Sequence, residues 1–137
     1  MLALLFLLLD LAWVLLAWGS IEEGAREGVR FAITGQTGSF PCQDAAIRDV
    51  VRQYSFGFVT SKNLDSSVGV DYYSPSDLST PLAGAGSNRG GNVVKISVRN
   101  IPISPLAALW RSSSPVTLSA SSSDVVEGSP NAVPPCR

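Results

Sequence analysis

The chain has 137 residues, a formal net charge of −1, no histidine and two cysteines. Its ten Lys and Arg residues stand singly, so there is no basic patch of the kind nucleic-acid binding needs. Without histidine the commonest general base and the commonest metal ligand are missing, and the length leaves room for one domain of about 100 residues after an anchor.

The first segment, residues 1–18, is apolar and predicts a transmembrane helix: eighteen helical residues span about 27 Å, close to a hydrocarbon core of ~30 Å. No proline separates it from residues 19–35, which continue the helix. There Ile21, Ala25, Val29 and Ala32 recur at three- and four-residue steps. Glu22–Arg26, Glu23–Arg26 and Glu27–Arg30 stand at ion-pair spacing on the helix surface. Gly24 and Gly28 offer a small-residue face for close helix approach. The helix is expected to stop near Thr34-Gly35, where glycine suits the left-handed terminal position.

Asp10 interrupts the apolar run. A carboxylate at that depth costs about 2.5–3.5 kcal/mol on insertion scales unless protonated or paired. It reads either as a tolerated polar residue in a marginal anchor or as a contact to a partner helix. A cleavable leader is the rival for the whole segment, because Ala17-Trp18-Gly19 has the small-large-small pattern of a cleavage site. Against it stand the missing basic residues before the run, the acid in its middle and the unbroken helical pattern after it. Basic residues follow the segment and none precede it, which taken literally puts the domain in the cytoplasm. Cysteine usage points the other way. Cys42 and Cys136, widely spaced behind an export-type segment, suggest one disulfide, the alternative being two unpaired thiols.

Residues 36–137 form the domain. Gln36 to Phe40 is a linker, and Pro41 opens a short helix over Cys42–Tyr54 with Ile47, Val50, Val51 and Tyr54 as its apolar stripe. Phe56 and Phe58 are expected to fill the core. Period-two alternation then predicts three strands: Val68/Val70/Tyr72, Val94/Ile96/Val98, and Val116/Leu118/Ala120. One apolar face per strand fits an antiparallel sheet packed on the helix and open to water behind. The fold class is therefore α+β: a long N-terminal helix, then a short helix packed on a small antiparallel sheet.

Between the first two strands a long loop runs from Ser74 to the glycine-rich stretch Gly84–Gly91. That stretch lacks the phosphate-loop spacing and leads into a strand, so it reads as a flexible connection. Ile101-Pro102-Ile103-Ser104-Pro105-Leu106 with Leu109-Trp110 is a Pro-punctuated apolar connection, either a contact surface or a cover over one end of the core. No histidine activates the abundant serines. The carboxylates of Asp65, Asp71, Asp77, Asp124 and Glu127 share no motif, and nothing calls for a metal or cofactor. The chain reads as non-enzymatic, with no evident small-molecule substrate.

At the junction of anchor and domain, Ala25-Arg26-Glu27-Gly28-Val29-Arg30-Phe31-Ala32 resembles the A-R-E-G-x-R-x-A signature of TadE/TadG-type pseudopilins of tight-adherence (Flp) pilus systems. Asp10 falls where that family usually carries Glu near the end of its apolar run, and the later order of Pro-Cys, short helix and alternating strands is similar. Family members usually begin with a stretch cut by a prepilin peptidase, whereas here Met1 falls inside the apolar run. The resemblance implies a pilin-like subunit in a bacterial inner membrane, with one span and a periplasmic or extracytoplasmic domain. It would take part in cell adhesion through type IV-related filaments. Its partners would be other pilin or pseudopilin subunits and the assembly machinery. Asp10 would pair with a neighbouring subunit's amine or Arg. Gly24, Ala25, Arg26, Glu27, Gly28 and Arg30 would form the helix-packing block. The alternatives are an exported binding module and a membrane-tethered envelope protein outside any pilus system.

Overall fold

The apolar and charged runs form one uninterrupted helix, α1 (Leu2–Ile33), in the computed structural model, which describes residues 1–104, 115–128 and 136. Leucine and alanine dominate its first half and are strong helix formers. It stops at Thr34, whose hydroxyl donates to the Phe31 carbonyl, and Gly35 follows with φ +66°. That left-handed position favours glycine because it has no Cβ.

A short linker leads to α2 (Gln43–Tyr54), with Cys42 extended at its N-cap, Asp44 in its first turn and Arg52 in its last. Those charges match the helix dipole. Ala46, Ile47 and Val51 face inward, whereas Tyr54, expected in the apolar stripe, is 47 % exposed at its edge. The two helices run antiparallel. Gln43 lies at Ala32, Val51 at Gly28 and Gly24, and Ser55 at Gly24. A single helical turn, α3 (Leu64–Ser67), precedes the sheet.

The sheet has four strands rather than the three expected: β1 (Val68–Ser74), β2 (Asp77–Pro81), β3 (Val93–Ile103) and β4 (Val116–Val125). They are antiparallel in the order β2-β1-β3-β4. β2 falls where the sequence pattern predicts a loop. It is an edge strand with every residue exposed, so no burial pattern marks its sequence.

β3 runs further than its alternation suggests. Val98 pairs with Ala120 and Ile101 with Leu118, which leaves Arg99 and Asn100 opposite Ser119. Asn100 has φ +56° and donates its backbone N–H to Ser119 Oγ. This bulge shifts the parity by one, so Ile101 and Ile103 fall on the same buried face as Val94, Ile96 and Val98. The first part of the expected apolar connection is therefore strand. Its continuation through Pro105, Leu106, Leu109 and Trp110 lies outside the described residues.

The core forms where the second half of α1 lies across β3 and β4 while α2 covers its flank. Ala17, Ile21, Ala25, Val29 and Ala32 are buried against Ile47, Val51, Tyr72, Val94, Ile96 and Val98. This gives the domain two poles. At the upper pole Glu127 N–H donates to the Ile33 carbonyl as the chain leaves β4. At the lower pole the rings of Trp13 and Phe58 meet with centroids 5.4 Å apart.

Candidate assembly surface on the N-terminal helix

The two halves of α1 meet different surroundings. In the first, the side chains of Leu2, Leu4 to Leu9, Leu11, Leu15, Leu16 and Trp18 are 41–74 % exposed. The most apolar eighteen-residue window has mean hydropathy 2.3, and 6 % of it is buried. A core helix of that hydropathy would be mostly covered. One helix is therefore long and apolar enough to cross a membrane, and it is bare where a membrane or a bundle of like helices would surround it. Asp10 is half-buried within this stretch.

Trp13 and Val14 already pack on the domain, and Ala17 and Ile21 are fully buried in it. Cleavage at Ala17-Trp18-Gly19 would cut α1 and remove core residues, which counts against a leader that is discarded.

The charged block divides between two roles. Arg26 is paired with Glu22 at 2.6 Å, and Arg30 with Glu27 at 3.7 Å. Both arginines point outward, with side chains 63 % and 78 % exposed. Such exposed pairs contribute about 0–1 kcal/mol to folding, so their weight in stability is small. Glu27 and Arg30 also line an open cleft of about 320 Å³ between α1 and α2, with Phe31, Val50, Gln53 and Tyr54. Ala25, Gly24 and Gly28 point the other way, into the domain. A Cβ on Gly24 would strike Ser55 Oγ and come within 2.9 Å of the Val51 carbonyl oxygen. One on Gly28 would come within 2.6 Å of Val51 Cγ2 and 3.0 Å of Ile96 Cδ1. The small-residue face therefore serves close approach of α1 to α2 and the sheet of the same chain.

Cys42 and Cys136 are joined, tying residues 94 apart in sequence at the start of α2. Beside them is a buried polar junction that sequence reasoning missed. Gln43, fully buried, donates from Nε2 to the Ala32 carbonyl and accepts from Asn88 Nδ2 at 2.6 Å. Its backbone N–H donates to the Cys136 carbonyl. Asn88 belongs to the glycine-rich connection, which is held rather than flexible. Gly91 N–H donates to the Val126 carbonyl, Val126 N–H to the Asn92 carbonyl, and Asn92 Nδ2 to the Ser87 carbonyl. A Cβ on Gly90 would fall 2.6 Å from Gly128 Cα, so glycine serves close backbone approach there. The sequence offers only the adjacency of Gln43 to Cys42 as a hint of this junction, and that pair is no motif.

Two carboxyls outside the apolar segment titrate low. The Arg52 guanidinium, bonded to Asp49, holds that carboxyl below the usual carboxylate range. The Ser79 hydroxyl and N–H hold Asp77 down at about 2. Each arrangement organises local structure. Among the described residues no cluster of three or more His, Cys, Asp or Glu side chains could hold a metal ion.

The fold and site thus define a class: an α+β protein built on one long helix, bare and apolar at one end and integrated into a disulfide-closed domain at the other. No family model, curated protein or solved structure matches the chain.

Proposed function

We propose that this chain is a non-catalytic, pilin-like membrane subunit that supports assembly of a tight-adherence pilus or a type IV pilus-related secretion machine. The observation that carries the reading is the division of α1. One helix without a break presents an exposed apolar half and buries its other half in an α+β domain with a four-stranded antiparallel sheet. That arrangement lets subunits pack through their apolar halves while their domains stay folded outside. The resemblance of Ala25–Ala32 to the pseudopilin signature adds a family direction.

In this reading the anchor lies in the bacterial inner membrane with the domain on the periplasmic or extracytoplasmic side, where a disulfide persists. Asp10 contacts a neighbouring subunit's cation, since a carboxylate in hydrocarbon is stable when paired. Arg26, Glu27 and Arg30, above the apolar half and facing outward, set register between subunits. Gly24, Ala25 and Gly28 act indirectly, by fixing how the domain sits on its own helix.

The test is genetic and microscopic. Deleting the gene in the bacterium that makes the protein should abolish or sharply reduce surface filaments, and the wild-type chain should restore them. The Asp10→Ala variant, expressed at equal level, should restore them about a hundredfold less well, the equivalent of the roughly 2.5–3.5 kcal/mol that an unpaired charge costs in hydrocarbon. Normal filaments in the deletion strain would leave an anchored envelope protein outside any pilus system.

A further inference from the structure

The segment joining α2 to α3 carries an aromatic residue that folding alone does not account for. Phe58 N–H donates to the Ser55 carbonyl and closes a four-residue turn, Ser55-Phe56-Gly57-Phe58. Both central residues have positive φ, +48° for Phe56 and +84° for Gly57. Turns of this kind favour Asn, Asp or Gly at both positions, because a side chain there crowds the backbone. Phenylalanine suits the first position poorly. Nor does it fill the core as its sequence context predicts: its side chain is 83 % exposed, while the neighbouring Val59 is buried. A bulky ring in a disfavoured conformation facing solvent suggests an occupant outside the domain.

The turn's position identifies that occupant. Ser55 lies against Gly24, and the ring of Phe58 reaches down to the ring of Trp13, so the turn sits beside α1 above the Trp13 level. This is the stretch where the helix changes from apolar to charged: Trp18 is exposed there, and the first charges, Glu22 and Glu23, stand just above. Tryptophan and tyrosine concentrate at the boundary between hydrocarbon and headgroups, and phenylalanine serves there on the apolar face of interfacial segments. Lys62, also exposed, follows on the same connection and offers a cation to anionic headgroups.

We propose that the Phe56–Gly57 turn is a second membrane contact: Phe56 inserts at the bilayer interface near the level of Trp18 along α1 and seats the lower pole of the domain on the lipid surface. The proposal rests on the reading of α1 as a membrane span. Two contacts, the helix and the turn, fix the tilt and rotation of the domain relative to the membrane.

A photo-cross-linking experiment on the full chain tests it. The protein, carrying p-azidophenylalanine at Leu5, Phe56 or Leu78, is reconstituted into vesicles of phosphatidylethanolamine and phosphatidylglycerol at roughly three to one. After irradiation, adducts are read by mass spectrometry. Leu5 lies in the apolar half of α1; Leu78, 63 % exposed, lies on β2 towards the upper pole. The expected result is lipid adducts at both Leu5 and Phe56, with the Phe56 yield about tenfold or more above that at Leu78. Adducts at Leu5 with Phe56 no better than Leu78 would overturn the proposal and leave the membrane span standing. So would a Phe56 adduct to a second protein chain in place of lipid. No lipid adduct at Leu5 would remove the membrane span, and the proposal with it.

Discussion

Replacing Gly24 by alanine separates two uses of the small-residue face. In an exposed helix interior the change adds about 1 kcal/mol of stability, because glycine is the poorer helix former. Here the new methyl group would meet Ser55 Oγ, already bonded to the Val51 carbonyl, and stand 2.9 Å from that carbonyl oxygen. A backbone atom cannot turn aside, so α2 must move off α1, at an overpacking cost of about 2–3 kcal/mol. The net expectation is a loss of about 1–2 kcal/mol, a fall in Tm of roughly 5–15 °C for a domain of this size. Gly28→Ala meets only the ends of side chains, Val51 Cγ2 and Ile96 Cδ1. Its cost and its propensity gain should cancel to within about 1 kcal/mol. Gly19→Ala has no atom within 4 Å of the new methyl and should raise stability by up to about 1 kcal/mol. The assay is thermal unfolding by circular dichroism in detergent, at a dilution where the chain is monomeric. The order of Tm should be Gly19→Ala, then wild type and Gly28→Ala, then Gly24→Ala. A monomeric Gly24→Ala variant as stable as wild type would refute the reasoning, because the face would then be free in the subunit and reserved for a neighbour.

Three further outcomes are expected. Reducing the Cys42–Cys136 bridge, or replacing both residues by serine, releases a loop spanning a sequence separation of 94 and should cost up to about 4–5 kcal/mol; an unchanged denaturation midpoint with and without reductant would contradict this. Gln43→Ala strips hydrogen bonds from the Ala32 carbonyl and the Asn88 amide in a buried site and should cost about 2–4 kcal/mol in urea unfolding; a loss below about 0.5 kcal/mol would mean that water replaces the amide. The Asp77 carboxyl, at about 2 in the fold against an ordinary value of 3.8, is held low chiefly by the Ser79 hydroxyl. The stability it lends is present above about pH 4 and fades as pH falls through 2, since the unfolded chain takes up its proton first. Ser79→Ala should move the midpoint of the Asp77 carboxyl resonance upward in an NMR titration, and an unmoved midpoint would assign the shift elsewhere.

Much of this architecture is determined by residue order alone. The apolar run and the three- and four-residue steps from Ile21 to Ala32 specify one long helix, and Gly35 marks its end. Alternation in Val68–Tyr72 and Val94–Val98 specifies strands with a single buried face. These features are legible because burial on one side imprints a period on the sequence. Exposed structure leaves no such imprint. β2 has no buried residue, and the glycine-rich connection is fixed by bonds to Gln43, Asn92 and Val126 far from it in sequence. The bulge at Arg99 and Asn100 hid the end of β3 by shifting the alternation one place.

The candidate surface divides in the same way. Its bare apolar half and the outward pairs Glu22–Arg26 and Glu27–Arg30 follow from spacing along one helix. Which partner the glycines approach does not, since a small-residue face reads alike for a neighbouring subunit and for the chain's own α2. Phe56 had the composition of a core residue, yet the turn that closes α2 points it outward. The sequence by itself determined which segments are helix and strand and which end of α1 is apolar. The tertiary structure decided which faces remain uncovered, because coverage depends on elements that meet only after folding.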